Sequence, residues 1–354
     1  MFDSPSTVYY NPVASCPYRT FDSAASAFEL FLKQMSEQAT SAANFIGVDL
    51  SGATMRAALV STDGQVISRR EAPLERDEVV QQVARTVAEL RDVSPDIRSI
   101  GVGIPGLVNR QTDRVLVSTD LPSVVRGDIH SELMRATGLR AELENDANAA
   151  AYGEYKAGAG LGSRDMFYVT IGAGIGGAII LDGKLWLGAS GFAGEFGHIT
   201  INADGIECMC GNIGCLETVA SAPNIVRRAK ERLFRDSTSS LSNLAIHKEF
   251  TAADIAREAK NGDDFSLLMI ERTGKYIGAA VASVINLLNI ERIVLGGGVM
   301  EAGDLILNPI IREAGRRAFQ PCFEATQIVL ASLGTDAVSV GAAMLARDAS
   351  LSED

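Results

Sequence analysis

One pattern that occurs twice restricts the fold more than any other feature of this chain. From Phe45 the sequence reads FIGVDL, SGAT, MRAALV, TDG and QVISRREAPL: a strand, a glycine turn, a strand, a DG turn and a strand. From Phe167 it reads FYVTIG, AGIG, GAIIL, DG and KLWLG, the same five pieces in the same order. The interval between the copies is far longer than a solenoid repeat. Two similar α/β lobes with a cleft between them are therefore expected. Val79, Val80, Val83, Val87 and Leu90 recur at helical spacing, and IRSIGVGIP then reads as a strand ending at a Gly/Pro turn. Further on, a long helix at about 264–289 leads into ERIVLGGGVM, read as strand, glycine turn and helix. The last helix, DAVSVGAAMLARDA, is suited to pack back on the first lobe. Residues 1–44, rich in Ser, Ala, Pro and aromatics, read as an extension with a helix around 22–40 and no core of its own.

Composition narrows the function classes. The net charge of −12 argues against a nucleic-acid partner, which a basic field would attract. The longest apolar run, IGAAVASVINLLNI (277–290), is too short to span a bilayer and carries two Asn residues. MFDSPSTVYY lacks the basic start and apolar core of a secretory signal, so a cytoplasmic setting is expected. In a reducing compartment, clustered cysteines point to a metal rather than to disulfides.

Three glycine turns, Ser51–Thr54, Gly172–Gly177 and Gly296–Gly298, expose backbone amides of the kind that hold phosphate oxygens. Taken singly, each simply joins two elements. Two at equivalent places in duplicated lobes favour a nucleotide in the cleft. The chain has no GxxxxGK[ST], and in IGAGIGG a strand follows where a dinucleotide fingerprint needs a helix.

The chain has five cysteines and three histidines, and Cys208, Cys210, Cys215 and His198 fall within 18 residues. Cys3His is a closed tetrahedral set of the structural-zinc type, whereas cysteines two apart on a Gly- and Asn-rich loop make poor core. Metal on one ring nitrogen of His198 would fix the other as an N–H donor. Beside Glu195 and Glu217, that donor suits a polyol substrate. In ELENDANAAAYGEY (142–155), a strand end feeds a helix. Asn145 or Asp146 serves as its cap on the local reading, and Asp146 also suits the proton acceptor for an attacking hydroxyl.

These residues resemble the ROK family of repressors and sugar kinases, most closely its bacterial glucokinases. The matching pieces are DLSGATMRAAL, GVGIPGLVN, ENDANAAAYGEY, TIGAGIGGAII, GFAGEFGH, CMCGNIGCLE and IVLGGGV, spread from Phe45 to about Ala346. The resemblance implies a two-lobed, actin-like (ribonuclease-H-like) α/β fold with MgATP in the cleft. It implies an ATP-dependent hexose kinase acting on the 6-hydroxyl of glucose, with hexose and ATP as partners, and a homodimer. By position, Asp146 is then the general base. Asn145, Glu195, His198 and Glu217, with Gly106 and Thr119, are the sugar ligands. Asp49, Gly52, Thr54, Gly172, Gly174 and Gly176 form the phosphate and magnesium sites, and Gly297 and Gly298 part of the adenosine site. His198, Cys208, Cys210 and Cys215 hold structural zinc. The expected division is an extension (1–44), a first lobe (45–155) completed by the helix 336–350, and a second lobe (156–335) carrying the zinc loop 198–217.

There are departures. The family's kinases read D-x-G-G-T at the first turn and often G-T-G at the second. Here the turns are Asp49-Leu50-Ser51-Gly52-Ala53 and Gly172-Ala173-Gly174. Two hydroxyls are missing, Thr54 is one place off, and Ser51 conflicts with the turn if a positive φ is required there. A second reading is therefore a sugar sensor or regulator with weak or no kinase activity. The family's repressors carry a winged helix–turn–helix, for which 44 residues with only Arg19 and Lys33 as basic groups are too short. Other hexoses, such as N-acetylmannosamine, fructose or allose, suit a similar wall.

Overall fold

The computed structural model describes residues 43–234, 238–247 and 249–352. The expected helix around 22–40 lies outside them. The first sheet begins with β1 (Asn44–Asp49), β2 (Thr54–Val60), β3 (Val66–Pro73) and β4 (Ile97–Ile104). A small hairpin, β5 (Leu107–Asn109) with β6 (Arg114–Val117), precedes β7 (Arg140–Asn145), which completes the sheet. The second sheet holds β8 (Met166–Ile171), β9 (Ile175–Leu181), β10 (Lys184–Leu185), β11 (Arg292–Gly296) and β12 (Gln327–Leu330).

The strand orders are β3-β2-β1-β4-β7 and β10-β9-β8-β11-β12, the same arrangement twice. In each sheet the first three strands form an antiparallel meander, and the last two add in parallel. The duplication read from the turns is thus a duplication of topology. Central strands are buried along nearly their whole length, as their apolar runs require, while β3 alternates half-buried and exposed residues at a sheet edge. The second DG turn has positive φ at both Asp182 and Gly183, the backbone of a two-residue type I′ hairpin.

Two expected elements differ. KLWLG keeps only Lys184–Leu185 in the sheet, and Trp186 is half exposed. After β11 no α-helix starts at the glycines. A 3-10 stretch, Gly298–Ala302, comes first, because Gly297 and Gly303 both turn the chain at positive φ; the helix Asp304–Arg317 then follows.

The helix Ala337–Leu351 lies on the first sheet. A Cβ at Gly47 would stand 1.6 Å from the Ser339 carbonyl oxygen, and one at Gly101 1.9 Å from that of Ala342. The helix therefore sits directly on bare backbone of β1 and β4. It also crosses the helix Asp146–Ala157 at very short range. Gly341 faces the Ala149 carbonyl, Gly153 faces the Ala337 carbonyl, and neither glycine has room for a Cβ. The chain passes between the sheets twice, through 146–165 on the way out and 331–336 on the way back. No helix among the described residues is long and apolar enough to cross a membrane.

Candidate active site

Between the two sheets lies a cleft of about 760 Å³, lined by all three glycine turns. Gly52, Gly172, Gly174, Gly176, Gly297 and Gly298 line it, with Asp49, Gly106, Thr119, Asn145, Asp146, Glu195 and Glu217. Thr54 and His198 are not part of the lining.

Asp146 opens its helix, directly after β7 delivers it to the cleft. Its Oδ1 accepts from the Ala147 amide at 2.9 Å and from Asn145 Nδ2 at 3.0 Å. Among the described residues its Oδ2 has no hydrogen-bond partner and so can accept from a ligand. Burial, reinforced by the charge of Asp49, pushes the Asp146 carboxyl up to about 7. A carboxylate poised there accepts a proton near neutral pH. Asn145 caps the helix, its Oδ1 accepting from the Asn148 amide at 3.1 Å. Its Nδ2 also donates to the Gly106 carbonyl at 2.9 Å, so both of its N–H groups are engaged in fixing Asp146 and the hairpin. Beneath them Glu144 is buried, its Oε1 accepting from the Asn145 amide and from Asn148 Nδ2. Burial holds the Glu144 carboxyl above its ordinary range, opposed by Arg110 at 3.5 Å.

At the first turn, Asp49 Oδ1 accepts from the Ser51 amide at 2.7 Å and from the Ser51 hydroxyl at 2.6 Å. Burial raises the Asp49 carboxyl, while Ser51 and Arg56 oppose the shift. The positive φ of this turn falls on Gly52, at 134°, and Ser51 is not among the positive-φ residues, so serine is accommodated without strain. Thr54 opens β2 in register with Pro73 and is outside the cleft lining, so the structure does not bring its hydroxyl to the place of the missing one.

The glycines divide by cause. Gly297 has φ +87 and its Cβ would meet the Ile171 backbone at 2.4 Å, and Gly106 has φ +130 with the Val117 carbonyl at 2.0 Å. Geometry requires both. Gly172 and Gly298 have neither a positive φ nor any atom within 4 Å of a Cβ, so they leave open space where they line the cleft. Glu217, at the start of a short helix, sends Oε2 2.8 Å from the Ile175 amide and fills the space a Cβ on Gly174 would take. It thus braces the second glycine turn as well as facing the cleft.

The ligand atoms of His198, Cys208, Cys210 and Cys215 all lie within 4.8 Å of one another. Cys208 Sγ is 3.7 Å from His198 Nδ1, and Cys210 Sγ is 3.7 Å from Cys215 Sγ. Ligands at zinc–sulfur and zinc–nitrogen distances around a tetrahedral ion stand about 3.5–3.8 Å apart, so the set fits zinc. His198 turns Nδ1 to the cysteines and Nε2 toward Glu195 Oε2, 3.9 Å away. His198 is thus outside the cleft lining, whereas Glu195 is part of it.

Arg56 and Asp120 also line the cleft and take no role from the sequence, although Arg56 lies within DLSGATMRAAL. The hairpin register was their available signal in one case, since Asp49 pairs directly with Arg56 across β1 and β2. Asp120 has none, although its charge adds to the rise of the Asp146 carboxyl.

The ROK family model matches residues 45–349. A glucokinase from Halalkalibacterium halodurans is 34% identical over 318 residues, covering 86% of this chain and 94% of that protein. A xylose repressor from Caldicellulosiruptor bescii is 30% identical over 309 residues, covering 84% of this chain and 76% of that protein. The crystal structure of a ROK family glucokinase from Streptomyces griseus in complex with glucose and AMPPNP superposes with a TM-score of 0.77. It is 32% identical, and the match covers 86% of this chain and 99% of that one. With the family model matching most of the chain and a glucokinase matched over 94% of its own length, the chain belongs to the ROK family.

Proposed function

We propose that this protein is an ATP-dependent hexose kinase, with glucose as its leading substrate. Asp146 carries the reading: a carboxylate with one oxygen fixed by Asn145 and Ala147 and the other free, in a cleft that glycine turns line from both lobes. Its Oδ2 accepts the proton of the sugar 6-hydroxyl. The sugar 6-oxygen, freed of its proton, then forms a bond to the γ-phosphorus of ATP, and the bond from γ-phosphorus to the β,γ-bridging oxygen breaks, its electron pair leaving with ADP. Glu195 and Glu217 accept from sugar hydroxyls, His198 orients Glu195 from behind, and Gly106, Thr119 and Asn145 complete the wall. The amides around Gly52, Gly172, Gly174 and Gly176 face the phosphates, and Gly297 and Gly298 leave room for the adenosine. Asp49 would hold Mg²⁺, which supplies charge neutralisation at the phosphates. The Cys3His set would hold zinc, whose part is to fix the 198–217 loop. The same reading takes 45–155 with 336–350 as one lobe and 156–335 as the other, in a cytoplasmic homodimer without a nucleic-acid partner.

A second reading, a sugar sensor with little turnover, is favoured by Ala173, by the Ser51 hydroxyl on Asp49 Oδ1 and by the similarity to a xylose repressor. ADP release from MgATP against a panel of hexoses separates them. Glucose-dependent turnover supports the kinase. Sugar binding without turnover for any hexose overturns it in favour of the sensor.

A further inference from the structure

The two passes of chain between the sheets are tied together by one side chain. Glu154 lies in the helix Asp146–Ala157, eight residues after Asp146 and so about 12 Å along the axis. It is 0% exposed. Its Oε2 accepts from the Ala159 amide at 2.7 Å, within its own pass. All other hydrogen-bond partners of the side chain belong to the return pass. Oε1 accepts from the Leu333 amide at 2.7 Å and the Ser332 amide at 3.0 Å. Oε2 accepts from the same Ser332 amide at 3.1 Å and from the Ser332 hydroxyl at 3.2 Å. For these three amides Glu154 is the acceptor found among the described residues. The backbone is shaped around the carboxylate, since a Cβ at Gly158 would stand 2.2 Å from Oε2. Ala331, Gly334 and Thr335, which flank the bound segment, line the cleft together with Gly297 and Gly298.

We propose that Glu154 is a positioning residue that holds the 331–335 wall of the nucleotide site at a fixed distance from Asp146. It touches no substrate. It works by binding the return pass to the helix that carries the base, so that this wall and the base move as one piece. A buried acid is suited to this work because every group facing it is an N–H or O–H donor, and a carboxylate only accepts. The inference rests on the kinase reading, because it assigns the 331–335 wall to nucleotide.

The test uses Glu154→Gln in the full chain, which keeps the shape but turns an NH2 toward backbone amides. Calorimetric titrations with magnesium AMPPNP and, separately, with glucose should show the nucleotide Kd raised at least tenfold and the glucose Kd unchanged within twofold. Loss of both affinities in equal measure, or of neither, overturns the proposal. Wild-type protein that binds glucose but no magnesium AMPPNP overturns the kinase reading instead, and the nucleotide assignment with it. Hydrogen exchange on the wild type tests the tie without any variant. The amides of Ala159, Ser332 and Leu333 share one acceptor and should open together, with matching exchange rates. If 332–333 exchange independently of 159, Glu154 does not couple the passes.

Discussion

Replacing Asp146 with Asn should separate catalysis from stability, in opposite directions. The variant keeps the Oδ1 contacts to Ala147 and Asn145 but has no proton-accepting carboxylate. Loss of a general base lowers turnover by roughly 10²–10⁴-fold. Stability follows from the raised carboxyl. The folded value is about 7 against 3.8 in an ordinary environment. About three pK units at 1.36 kcal/mol each give an upper bound of about 4 kcal/mol, reduced by water in the open cleft. The sign is that of a raised acid. The protonated group sits in the fold without penalty below pH 3.8, the penalty grows as pH rises, and it is complete above about pH 7. Asn carries none of it. Urea unfolding at pH 5 and pH 8 should therefore show Asp146→Asn gaining on wild type by roughly 1–3 kcal/mol between the two pH values. The ADP-release rate of wild type should rise with unit slope below pH 7 and level off above it. A variant that keeps more than about a tenth of wild-type turnover would refute the base assignment. A stability gap that does not widen with pH would refute the buried-carboxylate argument.

Gly172→Ala should leave unfolding free energy within about 0.5 kcal/mol of wild type, since its Cβ meets nothing, yet weaken AMPPNP binding several-fold. Gly297→Ala, forced against the Ile171 backbone at φ +87, should cost about 2 kcal/mol or more in the same urea titration; equal stability for the two variants would undo the division of the glycines. Elemental analysis should find one zinc per chain. Cys208→Ser should lose it and raise KM for glucose roughly tenfold with a smaller change in kcat, and an unchanged KM after proven zinc loss would remove the loop from the sugar wall. Gly47→Ala should cost on the order of 3 kcal/mol, because the Ser339 carbonyl cannot yield without lifting a helix; near-neutral stability would mean that the helix is not seated as described.

Much of this was legible from local signals. Strand, glycine turn and strand repeat at short range, so both meanders could be read from Phe45 and Phe167. The cysteines and His198 lie within one loop, so their spacing carried the metal set. What needed the structure was contact between distant segments or backbone angle. Ser51 looked misplaced until the positive φ was found at Gly52 instead. His198 matched both a sugar-ligand and a metal-ligand pattern, and only the structure shows how its ring is shared: Nδ1 turns to Cys208 and Nε2 toward Glu195, outside the cleft lining. Arg56 was quoted within a strand and given no role, although the register sets it against Asp49. Glu154 gave no sign at all, because all but one of its side-chain partners lie 178 or 179 residues away, and a buried glutamate in GEY reads like an exposed one.

The seat of the helix Ala337–Leu351 on β1 and β4 also bears on how the chain is made. The first sheet emerges early from a ribosome, but the helix that covers Gly47 and Gly101 comes about 300 residues after β1. At roughly 5–20 residues per second, the uncovered face waits about 15–60 s for its lid. The second lobe, by contrast, can close within its own stretch of sequence. Synthesis should thus leave a half-finished first lobe exposing apolar strand faces throughout translation, a natural client for a holding chaperone. A nascent chain ending at residue 336, stalled behind a linker long enough to clear the ribosome, should be cleaved by protease in the first lobe and resist in the second.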